Sequence, residues 1–314
     1  MRLHWYEMDI LSSVIALIRL RTVHCGGFDL GPDACVQVPA SDGVKFYAVV
    51  SGQCWLTTEW NNAVRKLEEN DCVLLPKNKG FRLSASKDPS EVMVFSEDDC
   101  GKISTYNGGT ACLMLGTHFA FSGPEGDLLM QRLPSLIHFA RMPDQSKLRW
   151  LVDSLADEFQ SPQAGGVLVT QHLAQLIFVQ AIRACMESQQ ESLSGWLGAL
   201  PDSRMSQALN CMYEKPGKKW TVEALGRLVG MSRAAFARRF TELTGESPMD
   251  HLTRWRMALA SQRLSGTQQT VAEIAISLGY DSPSAFTKSF RRNTGKSPRD
   301  LRHTTVPSIS ALAD

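Results

Sequence analysis

Apolar positions recur at helical spacing only in parts of the chain. Ile10, Leu11, Val14, Ile15 and Ile18 fall on one face of a helix predicted over Asp9–Arg19. From about Leu20 to Phe121 the pattern changes to short apolar or alternating runs, among them Lys45–Val50, Cys54–Thr58, Val64–Leu67, Cys72–Leu75, Val92–Phe95 and Ala111–Leu115. Turn-forming pairs separate them, including Ser51-Gly52, Asn61-Asn62, Asn70-Asp71 and Gly108-Gly109. Many short strands at that spacing predict a β-sandwich or barrel. Helical spacing returns over about Gln145–Phe159 and Val167–Glu187. Gln189–Leu200, with Gly195 and Gly198, reads as a linker, and everything after it reads as helical.

The helical end contains a duplication. Ser232–Asp250 and Ser282–Asp300, fifty residues apart, align without a gap and are identical at nine of nineteen positions. These include Phe236/Phe286, Phe240/Phe290, Gly245/Gly295 and Pro248/Pro298. Each copy reads as helix, short turn, helix. In the first, Thr221 caps a helix whose inner face is Val222, Leu225, Leu228 and Val229. Gly230 supplies a left-handed turn, and Ser232 caps a second helix that buries Phe236, Phe240 and Leu243. In the second, Thr270 and Glu273 form a capping box and Ile274 and Leu278 face inward. Gly279 turns the chain, and Ser282-Pro283 opens the second helix. A continuous helix over about Pro248–Leu264 joins the copies. Its Leu252, Trp255, Leu259 and Ala260 are suited to pack both, while Arg254 and Arg256 point elsewhere. Such a helix-turn-helix places its second helix in a DNA major groove. A plain helical bundle would use Gly230 and Gly279 as C-caps too. The second helices, however, carry Arg233, Arg238 and Arg239 in one copy and Lys288, Arg291 and Arg292 in the other, a doubled basic face that solvation does not require.

Charge agrees once it is divided. The 314 residues carry a formal net charge of only +1. Residues 201–314 hold 17 Lys+Arg against 10 Asp+Glu, and residues 1–200 hold 16 against 22. A basic back half behind an acidic front half is the asymmetry of a nucleic-acid module fused to another domain. The eight cysteines form no C-x-x-C and match neither a zinc site nor a secreted disulfide framework. Val14–Ile18, the longest apolar stretch near the N-terminus, is too short for a signal core or a membrane span. The expectation is a cytoplasmic protein with reduced thiols and no membrane association.

The stretches WTVEALGRLVGMSRAAFARRFTELTGESPMDHLTRWRMALA and VAEIAISLGYDSPSAFTKSFRRNTGKSPRDLR resemble the DNA-binding domain of the AraC/XylS family of bacterial transcription regulators over roughly Ser203–Arg302. The stretches FYAVVSGQCWL and LEENDCVLLPKNKGFRLS, with DILSSVIALIRLR, LAQLIFVQAIRA and GWLGAL, resemble the cupin-type N-terminal domain of one branch of that family. The resemblance implies an α+β chain with an N-terminal cupin-like β-barrel and flanking helices over residues 1–195. The all-α domain at 196–314 would hold two helix-turn-helix subdomains, about 220–246 and 270–296, joined by a linker helix at about 248–264. It implies a sequence-specific regulator, an activator that contacts double-stranded DNA and RNA polymerase and answers to an unidentified small effector. By family position, Ala234, Ala237 and Arg238 in the first subdomain and Ser284, Ala285, Thr287 and Lys288 in the second would read bases. Ser232 and Ser282, which open those helices, would belong to the DNA-binding set as well, and Arg233, Arg239, Arg291, Arg292 and Lys296 would contact phosphates. Tyr47, Trp55 and Arg82 are the ligand-pocket candidates.

Around Phe46–Gly52 and Leu75–Leu83, where a metal-binding cupin carries its histidines, there is none. No metal, cofactor or catalytic residue is therefore expected. The apolar stripe of Leu168, Leu176, Val179 and Ile182 suits either a homodimer contact or packing on the barrel. Two alternatives remain open at this point. One is a redox-switched regulator using N-terminal cysteines, of which Cys25 and Cys100 read as the more exposed. The other is a cupin enzyme fused to a DNA anchor.

Overall fold

The computed structural model describes residues 9–18, 20–76, 79–89, 91–96, 101–120, 134–141, 146–187 and 195–304. Among the described residues a helix α1 (Ile10–Ile18) precedes ten strands: β1 (Arg21–Leu30), β2 (Cys35–Val38), β3 (Val44–Thr58), β4 (Val64–Glu68), β5 (Cys72–Leu75), β6 (Phe81–Ser84), β7 (Met93–Val94), β8 (Ile103–Tyr106), β9 (Cys112–Ala120) and β10 (Ile137–Phe139). Helices α2 (Lys147–Gln160) and α3 (Gly166–Glu187) follow. The elements described after them are all helices: α4 (Trp196–Ala199), α5 (Ser203–Glu214), α6 (Val222–Leu228), α7 (Arg233–Thr244), α8 (Pro248–Gly266), α9 (Val271–Ser277), α10 (Pro283–Thr294) and α11 (Pro298–Thr304).

Two compact units form, and they do not follow chain order strictly. Strands β1–β9 group with β10, α2 and α3, whereas α1 groups with the helices from α4 onward. Ile10, Leu11, Val14 and Leu17 of α1 are buried, and the helix contacts α5 and α8.

In the sheet unit the long strand β3 organises the rest. Its first half pairs with β9 and β5, its second half with β4 and β6. The Ser51-Gly52 pair, expected as a turn, instead lies within the strand. A register shift between Val49 and Ser51 and a φ of +79° at Gly52 make a bulge that redirects β3 from one set of neighbours to the other. A Cβ at Gly52 would stand 2.2 Å from the Ala111 carbonyl oxygen, so glycine is required there. The interior holds Phe28, Val36, Val49, Leu56, Leu67, Phe81, Leu83 and Met114.

Helix α3 contacts α2, β1 and β10, with Ala174, Ile177, Phe178, Ala181 and Ile182 buried. It is also the one helix among the described residues that is long and apolar enough, by length and composition, to span a membrane. Val167, Leu168 and Leu176 stay exposed on it, as does Trp150 on α2.

Candidate nucleic-acid interface

Helices α7 and α10 are built alike. Ser232 Oγ accepts a hydrogen bond from Ala235 N–H (3.3 Å) and Ser282 Oγ from Ala285 N–H (3.1 Å), so both hydroxyls serve as N-caps. Gly245 and Gly295 end the helices with φ of +74° and +73°. Phe236 and Phe240, like Phe286 and Phe290, are fully buried. With the aromatic anchors in register, the exposed positions fall at equivalent phases. Arg233, Ala234 and Arg238 are exposed on α7, with Ala237 half-buried. Ser284, Ala285, Lys288, Arg291 and Arg292 are exposed on α10, with Thr287 half-buried. Pro283, Ser284, Thr287, Lys288, Arg291 and Arg292 line one shallow open groove, which brings together five of the candidate residues of this module but not Ser282 or Ala285.

The cations differ in freedom. The Arg238 side chain is 79 % exposed and only loosely opposed by Glu242, at 3.7 Å. Arg239 is engaged: its Nε lies 3.0 Å from Asp202 Oδ2. Burial tends to raise the Asp202 carboxyl, but bonds from the Met205 and Arg204 amides and from Arg239 outweigh it and hold the group below the usual range. Arg239 thus ties α7 to the start of α5, a role that its place in a basic helix does not disclose.

The first helix of the first module differs from expectation at Leu228, which is 36 % exposed. Helix α6 has only seven residues, and Leu225 and Val229 fill its inward side. In the second module the capping box at Thr270 and Glu273 is present, and Ile274 and Leu278 are buried. The segment read as a linker also packs: Trp196, Leu197 and Ala199 are buried, and α4 contacts α7.

Helix α8 is more than a spacer. Its nineteen residues extend about 28 Å. Arg256, expected to point away, donates from Nε to Pro216 O (2.7 Å) and from Nη2 to Lys218 O (2.9 Å), and lies over the Tyr280 ring. These contacts bind the segment leading into the first module to the turn of the second. Lys219 and Asp281 add an ion pair at 2.6 Å, and Gly279 sits against the Gly217 carbonyl. At the other end of α8, Glu246 binds both His251 (2.8 Å) and Arg254, and Tyr213 meets His251 Nε2 at 2.9 Å while stacking on Trp255. Glu246 and His251 are buried. The first hint of this cluster is a mismatch in the repeat, since Glu246 stands where the second copy has Lys296.

Comparison with known proteins gives the same division. A cupin family profile matches residues 9–187 and a helix-turn-helix domain profile residues 225–304. A Streptomyces lividans protein named as an AraC-like transcription regulator is 32 % identical over 305 residues, covering 96 % of this chain and all of its own. The chain belongs to the AraC-like family of transcription regulators. The HTH-type transcriptional regulator AlkR of Acinetobacter baylyi is 29 % identical over 94 % of this chain and 99 % of its own. The DNA-binding domain of AdpA, solved with a target DNA, is 33 % identical over 32 % of this chain and 89 % of its own, with a TM-score of 0.31. As an AraC-like regulator the chain binds double-stranded DNA through its helix-turn-helix domain, and its relatives are regulators of transcription.

The cupin-like unit of this AraC-like chain holds a cavity of about 270 Å³. Of the three pocket candidates only Tyr47 lines it. Trp55 follows the β3 bulge and stands between buried Cys54 and Leu56, so strand alternation turns it outward. Arg82 does the same between buried Phe81 and Leu83. Cys25, read as exposed beside Gly26-Gly27, is buried, because those glycines lie within β1 rather than in a loop. Its Sγ is 3.7 Å from Thr170 O, and burial pushes the thiol up to about 12. Cys35, Cys54, Cys72 and Cys112 are buried as well. Cys100 lies outside the described residues.

Proposed function

We propose that this AraC-like regulator is an activator that reads DNA with α7 and α10 in successive major-groove segments. The observation that carries this reading is the matched phase of the two helices. Phe236/Phe240 and Phe286/Phe290 fix each one inward, leaving Arg238 and Lys288 exposed at equivalent positions. The coupling of the modules through Arg256 and Lys219–Asp281 supports a fixed separation suited to a helical turn of about 34 Å. Arg238 reads a base edge, its guanidinium matched to guanine, while Arg233, Arg291, Arg292 and Lys296 hold phosphates. Ala234, Ala237, Ser284, Ala285 and Thr287 complete the base-facing surface.

The protein acts in the cytoplasm on a promoter, contacts RNA polymerase, and is controlled by a small effector in the cupin-like unit. The exposed Val167, Leu168 and Leu176, with Trp150 on the adjacent helix, supply the face on which a second copy packs. Titration of the full chain against its own promoter fragment tests the DNA reading. Affinity should fall steeply with salt, and Arg238→Ala should cost about 1–3 kcal/mol at one base position. Equal competition by random DNA would refute it.

A further inference from the structure

The cavity in the sheet unit is built by rungs of directly paired residues. His24 of β1 pairs with His118 of β9, which pairs with Lys45 of β3. Two residues along, on the same face, Gly26 pairs with Gly116 and Gly116 with Tyr47. The second rung lacks two of its three side chains, and the Tyr47 ring lies across Gly116, where a Cβ would come within 2.4 Å of it. Space is left beside a row of three basic groups. Phe28, Val38, Tyr47 and Phe95 contribute apolar walls, and among the described residues that line the cavity none is Asp or Glu.

Lys45 is 7 % exposed. Its ammonium donates to Pro39 O (2.7 Å) and sits 5.4 Å from the Phe81 ring centroid, and among the described residues it forms no ion pair. A buried cation without a carboxylate is costly, and its remaining N–H groups seek an acceptor. The Ser41 hydroxyl, also lining the cavity, has a buried oxygen with no hydrogen-bond partner among the described residues. The rings of His24 and His118 lie 5.8 Å apart, and His118 Nε2 meets the Asp42 carbonyl at 2.5 Å. Two adjacent histidines suggest a metal, but the ammonium in the same rung repels a cation.

We propose that this cavity binds a small organic carboxylate, its anionic end on Lys45 and Ser41 and its apolar body against Phe28, Tyr47 and Phe95. The assignment rests on the reading that a small effector enters the cupin-like unit, and it names that effector's chemical class. The volume suits on the order of ten to fifteen non-hydrogen atoms. Apolar walls favour an organic acid over a bare inorganic anion.

Burial lowers Lys45 to about 8. Burial likewise lowers His118, with Lys45 and His24 adding to it and the Asp42 carbonyl and carboxylate opposing it. A bound carboxylate would raise Lys45, so binding at pH 8.5 should take up protons.

The test uses the full chain with hexanoate and cyclohexanecarboxylate, their matched amides and inorganic phosphate, followed by thermal shift and titration calorimetry. The carboxylates should stabilise the protein and bind at least tenfold more tightly than the amides or phosphate. Their measured heat at pH 8.5 should vary with buffer ionisation enthalpy. Lys45→Met should remove the preference for carboxylate, and Ser41→Ala should weaken it if Lys45→Met fails to fold. Amides binding as tightly as the acids would overturn the carboxylate assignment while leaving a small-effector cavity. Phosphate binding as tightly would overturn the organic class. No binding by any probe at about 10 mM would overturn the assignment and count against the effector reading too.

Discussion

Two glycines at corresponding turns of the helix-turn-helix modules separate the cost of a local conformation from the cost of breaking the contact between modules. Gly230 has φ +68° and nothing within 4 Å of the place a Cβ would occupy. Gly279 has φ +81°, and its Cβ would stand 2.4 Å from Gly217 O and 3.1 Å from Arg256 Nη2. In both, alanine incurs about 1–2 kcal/mol for the left-handed backbone, partly offset by the lower entropy of the unfolded chain. Gly230→Ala should therefore cost about 1 kcal/mol. At Gly279 the carbonyl is backbone and cannot rotate away, so an overpacking cost of about 1–3 kcal/mol is added. The total is about 3 kcal/mol. For a unit of roughly 150 residues each kcal/mol lowers Tm by about 2–4 °C, so calorimetry should still resolve the two variants. Affinity for a promoter fragment should also divide them. Gly230→Ala should stay within about threefold of the parent, and Gly279→Ala should lose about tenfold or more, because displacing Gly217 shifts one module against the other. Equal melting shifts with equal affinities would refute the claim that the modules are held through this contact.

Glu246→Ala leaves His251 and Arg254 without their shared acceptor in a largely buried site, and should cost about 3 kcal/mol by urea denaturation. A loss below about 1 kcal/mol would show that water replaces the carboxylate. Cys25, with its thiol pushed up to about 12, should have only about one molecule in ten thousand ionised at pH 8. Iodoacetamide should then leave it unmodified in the native chain and modify it fully in urea, as read by peptide mass spectrometry. Rapid native labelling would revive a thiol switch at this residue.

The two halves of the molecule were legible in the sequence to different depths, and contact range explains the difference. Caps, turns and aromatic anchors in each helix-turn-helix join residues a few positions apart, so Thr221, Gly230, Ser232, Phe236 and their second-module equivalents reveal themselves by spacing. Even there, longer-range ties stayed hidden. Arg239 pairs with Asp202 across 37 positions and Arg256 reaches Pro216 across 40, so both look like free surface cations in the sequence. The β texture of residues 20–121 was visible, but which strand meets which was not. His24 and His118 share a rung only because β1 and β9 pair across more than ninety residues, and the Gly52 bulge that turns Trp55 away from the cavity looks locally like a hairpin turn. Family position placed Trp55 and Arg82 near a ligand, yet strand alternation faces them outward. A DNA-reading surface made of helix faces is encoded in local periodicity. A cavity made where three distant strands each omit or bury a particular side chain is encoded in register, and Lys45 acquires its meaning only once His118 lies beside it.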